Sequence, residues 1–125
     1  LSATSDGRYL LSVGQDRMMK LWERASGKCI FNIEVSRETV RTACLAGDGQ
    51  HALTRGHNNR LAIWDLQRGM IIQELDGHND WINAIAISEA GRYAVTGSQD
   101  MTAIVWDLNT LEPLRALQGH DAAIT

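Results

Sequence analysis

The sequence predicts an all-β fold of tandem four-stranded antiparallel sheets, and three observations carry that prediction. Trp22, Trp64 and Trp106 follow one another at intervals of 42 residues. The best-preserved interval holds four short apolar or alternating runs separated by turn-forming clusters. Nothing in that interval has the i, i+3, i+4 apolar spacing of a long helix.

The period is not confined to tryptophan. The same 42-residue offset links Gly7, Gly49 and Gly91, then Asp16, Asn58 and Asp100, then Leu21, Ile63 and Val105. It also joins the pairs Gly77-His78 and Gly119-His120. The third period shows its elements most clearly. WINAIAI (81–87) alternates and is β-branched, so it reads as a first strand, and SEAG (88–91) is a turn cluster. RYAVTG (92–97) is a second strand, SQD (98–100) a tight turn and TAIVWD (102–107) a third strand. LNTLEP (108–113) turns the chain and ends on the only proline, Pro113, and LRALQ (114–118) is the fourth strand.

Bulk properties narrow the function classes. The chain has 125 residues, 44% hydrophobic and 22% charged, a globular balance. A net charge of −3 gives no general attraction to nucleic acid or to an anionic membrane. No apolar run approaches the roughly 20 residues that span a bilayer. The N-terminus, LSATSDGRYL, has no signal-peptide pattern and opens inside the repeat without a Met. Cys29 and Cys44 are too few for a disulfide framework or a zinc site, and are expected to be small buried hydrophobes in a reducing compartment.

Four strands per period of about 40–45 residues, with Gly-His before the first and Trp-Asp closing the third, are the marks of a WD repeat. The stretch GHNDWINAIAISEAGRYAVTGSQDMTAIVWD carries both, so the chain resembles the WD-repeat β-propeller family over its whole length. The middle repeat keeps LAIWD but has Val35-Ser36 in place of Gly-His, and the first ends in LWE, with Glu23 in place of Asp. The resemblance implies a partial blade at 1–34, a degenerate blade at 35–76, a well-conforming blade at 77–118 and the start of another at 119–125. On this alignment the partial blade contributes only its last three strands. A closed propeller typically has four to eight blades. About three blades give an open arc unless further chain or other copies complete it.

The resemblance also implies a structural hydrogen-bond relay in each blade, from a loop His to the turn Asp, to a Ser or Thr of the second strand, to the Trp indole. Its members here would be His78, Asp100, Thr96 or Ser98, and Trp106. The first blade keeps Ser12, Asp16 and Trp22. The middle keeps Thr54, Asn58 and Trp64, with Ser36 in the His position, and is expected to be the least rigid. His120 would open the relay of the following blade. A buried indole N–H needs an acceptor and a buried carboxylate needs partners, so the relay makes chemical sense.

A Ser-His-Asp set also suggests hydrolysis, but no G-x-S-x-G elbow occurs, and these residue types recur beside each Trp. His57, His78 and His120 offer no short-spaced pair for a metal. The chain is therefore read as a non-catalytic protein-interaction scaffold with neither cofactor nor metal. It would be cytoplasmic, would bind a protein or peptide and neither nucleic acid nor membrane, and would belong to a larger regulatory or signalling protein. The alternative is a self-assembling fragment that closes a six- or nine-bladed ring. Family contact positions fall on Asn79, Trp81 and Gln99 in the last blade, Arg37, Thr39 and His57 in the middle one, and Gln15 in the first. Trp81 lies outside the 42-residue Trp series, and is read either as a contact residue or as packing against its own neighbouring loops. Arg37, Arg41, Arg55, Arg60 and Arg68 are read as a solvated face, with a patch for acidic groups as the sharper alternative.

Overall fold

The computed structural model describes residues 1–35 and 42–125. They form three four-stranded antiparallel sheets in which strands follow chain order. The first contains β1 (Ser2–Ala3), β2 (Tyr9–Val13), β3 (Met18–Glu23) and β4 (Cys29–Glu34). The second contains β5 (Ala43–Leu45), β6 (His51–Arg55), β7 (Leu61–Asp65) and β8 (Met70–Leu75). The third contains β9 (Ile82–Ile87), β10 (Tyr93–Ser98), β11 (Thr102–Asp107) and β12 (Glu112–Gln118). The inner strands β1, β5 and β9 lie beside one another, and each outer strand forms a rim. The three sheets are blades of an open arc.

Local chemistry sets the turns. Between the first and second strands, Gly7, Gly49 and Gly91 all adopt φ near +70°, which side chains disfavour. Each donates its N–H to a carbonyl three residues back, at Thr4, Ala46 and Ser88. After the third strand, the carboxylates of Asp65 and Asp107 each accept the backbone N–H groups of the residues two and three positions on. In the first blade Glu23 accepts the Ser26 hydroxyl instead, at 2.7 Å. Each outer strand carries a one-residue bulge beside the Trp. The extra residues are Ile30, Ile72 and Leu114, all exposed on the rim. Such bulges twist an edge and discourage pairing with another chain.

The core lies between the sheets. Leu11, Met19, Leu21 and Ile33 of the first blade pack with Ala52, Ala62 and Trp64 of the second. The same positions one period later, Leu53, Leu61, Ile63 and Leu75, pack with Ile82, Ala94, Ile104 and Trp106. Every blade thus has a forward face and a rear face. Among the described residues, only the second blade is covered on both. Its β6 and β7 are almost wholly buried, so packing works against the low rigidity expected from its altered relay. The third blade's forward face is open, with Val95 40% and Leu117 47% exposed. At the other end, Leu10 on the first blade's rear face is also exposed.

Three expectations need correction. The first blade has four strands, because Ser2 and Ala3 pair with Leu11 and Leu10 and supply a short inner strand. Residues 119–125 do not form a strand. Ile124 nevertheless packs on Gly97, donates its N–H to the Ser98 carbonyl, and accepts from the Asn83 amide at 2.9 Å. Cys29 is exposed and Cys44 only half-buried, both free. Cys29 begins a rim strand that, among the described residues, no further layer covers.

Candidate functional site

Four side chains meet in the third blade. His78, buried in the loop before β9, places Nδ1 2.9 Å from Asp100 and Nε2 2.7 Å from the Thr96 hydroxyl. The Trp106 indole N–H donates to the same hydroxyl at 2.8 Å. A carboxylate only accepts, so Nδ1 carries the proton and the neutral imidazole accepts from Thr96 through Nε2. The bonded order is Asp100–His78–Thr96–Trp106. This differs from the expected order, in which Asp stood between His and the hydroxyl. The imidazole, with a donor and an acceptor on opposite edges, is the member able to bridge carboxylate and hydroxyl. Ser98 is not the indole's acceptor. Its hydroxyl donates to the Asp80 carbonyl and accepts the Asp100 N–H, which pins the loop to the turn.

Burial alone would raise the Asp100 pKa. The Thr102 hydroxyl, the Asn79 N–H, His78 and the Thr102 N–H outweigh it and hold the carboxyl well below its ordinary value of 3.8. A depressed folded value contributes stability that is whole above the unfolded pKa and is lost as pH falls through the folded one. The expected result is that Asp100→Asn lowers stability at neutral pH. Its deficit should shrink as pH falls below about 4, where wild-type Asp100 begins to lose its own contribution. Urea unfolding midpoints of both proteins across pH 2–7 check this, and a constant deficit would contradict it.

The other blades keep the end of the relay. Trp22 donates to Ser12 and Trp64 to Thr54, each at 2.8 Å. Asp16 is exposed and accepts the Met18 N–H within its own turn. Asn58 lies in a short 3₁₀ turn, His57–Asn59, with φ +52°, and is exposed. Ser36, Arg37, Thr39 and Arg41 lie outside the described residues, as does the side chain of His57. His120 is exposed. Among the described residues no cluster of three or more His, Cys, Asp or Glu could hold a metal ion.

Loops before the first strands and turns after the second strands share one end of the blades. Gln99 N–H donates to the Trp81 carbonyl there, and Val35 N–H to the Arg17 carbonyl. Trp81 is 60% exposed, the most exposed of the four tryptophans. The Arg55 guanidinium, from the end of β6, lies 5.0 Å from its ring centre, so two blades build one surface feature. Asn79, Gln99 and Gln15 are exposed on the same end. The arginines do not form one patch. Arg60 faces Glu74 and Asp76 at this end, whereas Arg68 faces Asp65 at the opposite end. The role of Arg55 as partner of Trp81 was not legible in the sequence, because 26 residues and a blade boundary separate them.

The family model described as WD domain, G-beta repeat matches residues 1–23 and 69–107. Together with three antiparallel four-stranded blades and an indole–hydroxyl bond in each, that match decides the family. The chain belongs to the WD40-repeat family. No curated protein matches it significantly. The matched spans cover the first and third WD40 repeats and the last strand of the middle one, most of which, without its Gly-His, lies outside them. WD40 repeats generally act as protein-interaction scaffolds and are typically non-catalytic. The Asp–His–hydroxyl set fits that reading: the hydroxyl is fully buried and already bonded to an indole, so it has no cleft in which to attack a substrate.

Proposed function

We propose that this chain is a non-catalytic docking scaffold of a larger cytoplasmic regulatory or signalling protein, and that it holds a protein or peptide partner at the end of the blades carrying Trp81. The observation that carries this reading is the exposed indole with a guanidinium from the neighbouring blade over it. Trp and Arg are the residues most enriched among interface hot spots. Asn79 and Gln99 flank it with hydrogen-bonding side chains, and no phosphate-binding loop or stacked aromatics favour a nucleotide or nucleic acid.

Trp81→Ala is expected to cost less than about 1 kcal/mol of stability, since only a surface cation–π contact and part of the ring's burial are lost. Partner affinity should fall on the order of 30-fold, the equivalent of a 2 kcal/mol hot spot. Affinity capture with wild-type and variant, alongside unfolding midpoints, separates the two effects. An unchanged set of captured proteins, or a large loss of stability without loss of capture, would overturn the reading.

The uncovered forward face of the third blade favours a second reading, in which two or three copies close a six- or nine-bladed ring. Val95 and Leu117 occupy positions that are buried in the second blade, and Ile124 already lies against this face. A discrete dimer or trimer by sedimentation would support this reading, and a folded, soluble monomer would end it.

A further inference from the structure

At the end of the blades opposite Trp81, the second and third blades enclose a cleft of about 300 Å³. This is the small end of the range of ligand pockets, roughly 300–1,000 Å³. Leu53 and Ile63 line one side and Leu108 and Leu111 the other, with Asp48, His51 and Gln73 from the second blade and Asn109 from the third as the polar side chains.

The repeat shows what kind of group this space takes. One period earlier, between the first and second blades, Tyr9 stands where His51 does and Phe31 where Gln73 does. Both rings pack against the core of that interface. Tyr9 lies so close over Gly49 that a Cβ there would come within 2.8 Å of the ring. Gly91 is the counterpart of Gly49, with the same left-handed φ, but no atom of the neighbouring blade lies within 4 Å of the corresponding point. The second interface therefore has the backbone frame of the first without the Tyr9 and Phe31 rings, and with Leu111 on the third blade where Gly69 stands on the second.

The polar groups add a preference. Asp48 accepts the Gln50 and His51 N–H groups through one oxygen and faces His51 Nδ1 at 2.7 Å with the other. That contact directs an Nδ1–H at Asp48 and leaves Nε2 as the ring's second polar atom. The Gln73 amide supplies a donor. An aromatic ring bearing a hydroxyl matches both.

We propose that this cleft is a binding site for a phenol-type ring, either the tyrosine side chain of a peptide or a free aromatic of the same chemistry. It is separate from the Trp81 surface and does not depend on that reading. The test is a titration of the full chain with 4-methylphenol, followed by the methyl NMR signals of Leu and Ile. Saturable shifts at Leu53, Ile63 and Leu108 are expected, at least tenfold weaker in Gln73→Phe, whose own ring would occupy the space. Toluene, which has no hydroxyl, should bind more weakly than 4-methylphenol. The absence of saturable shifts, shifts centred elsewhere, or equal binding by the variant would overturn the proposal. The wild-type map decides the matter even if the variant does not fold. N-acetyltyrosine amide then distinguishes the sources: binding comparable to 4-methylphenol identifies a peptide ligand, and its loss a free aromatic.

Discussion

Replacing Thr96 with valine is expected to destabilise the chain by about 2–6 kcal/mol, because one hydroxyl serves two buried partners. It accepts from the Trp106 indole and donates to His78, and all three side chains are buried. Valine keeps the shape but orphans both groups, at about 1–3 kcal/mol each. Thr54→Val in the middle blade should cost less, about 1–3 kcal/mol, since the Trp64 indole is the only side chain bonded to that hydroxyl among the described residues. Ser12→Ala, at a half-buried site in the first blade, should cost least. Equilibrium urea unfolding of the three variants gives the ranking. Equal losses for Thr96 and Thr54 would mean that the His78–Asp100 arm contributes nothing beyond the indole bond.

The second large effect concerns one repeat position seen in two environments. Leu53 and Val95 are equivalent, both on the forward face of a second strand. Leu53 is 2% exposed under the third blade, whereas Val95 is 40% exposed. Leu53→Ala should cost about 2–5 kcal/mol, through lost transfer energy and the cavity left behind. Val95→Ala should cost less than about 1 kcal/mol, since the removed methyls are already largely in water. The same unfolding experiment checks both. A large loss at Val95 would show that the forward face is covered in solution, which would favour assembly of copies.

Much of the fold is legible in the sequence because the repeat is local chemistry. Alternating apolar residues give strands, glycines at fixed places give left-handed turns, and Asp65 and Asp107 cap the turns after the third strands. That each tryptophan bonds a hydroxyl of its second strand was legible only through the resemblance, which left Thr96 or Ser98 open in the last blade. Ala94 stands opposite Trp106 across the hairpin, and Thr96 lies diagonal to it, within reach of the indole. The order of bonding was not legible, because a sequence does not say which edge of an imidazole faces which neighbour. The rim position of Cys29 was equally hidden, since an apolar strand reads the same whether or not a further layer covers it.

The candidate surface divides in the same way. Trp81 could be singled out because it breaks the tryptophan period, and Asn79 and Gln99 follow from their places in the repeat. Its partnership with Arg55, the scattering of the arginines to opposite ends, and the cleft beside His51 are contacts between blades. Sequence by itself determined the repeat, its strands and turns, and the residues that close each blade, because those interactions act over a few residues or one hairpin. Only the tertiary structure decided which equivalent positions are buried, which charges meet, and where an aromatic pair is missing. Those depend on what the next blade places opposite, and the period that makes the blades alike does not encode their differences.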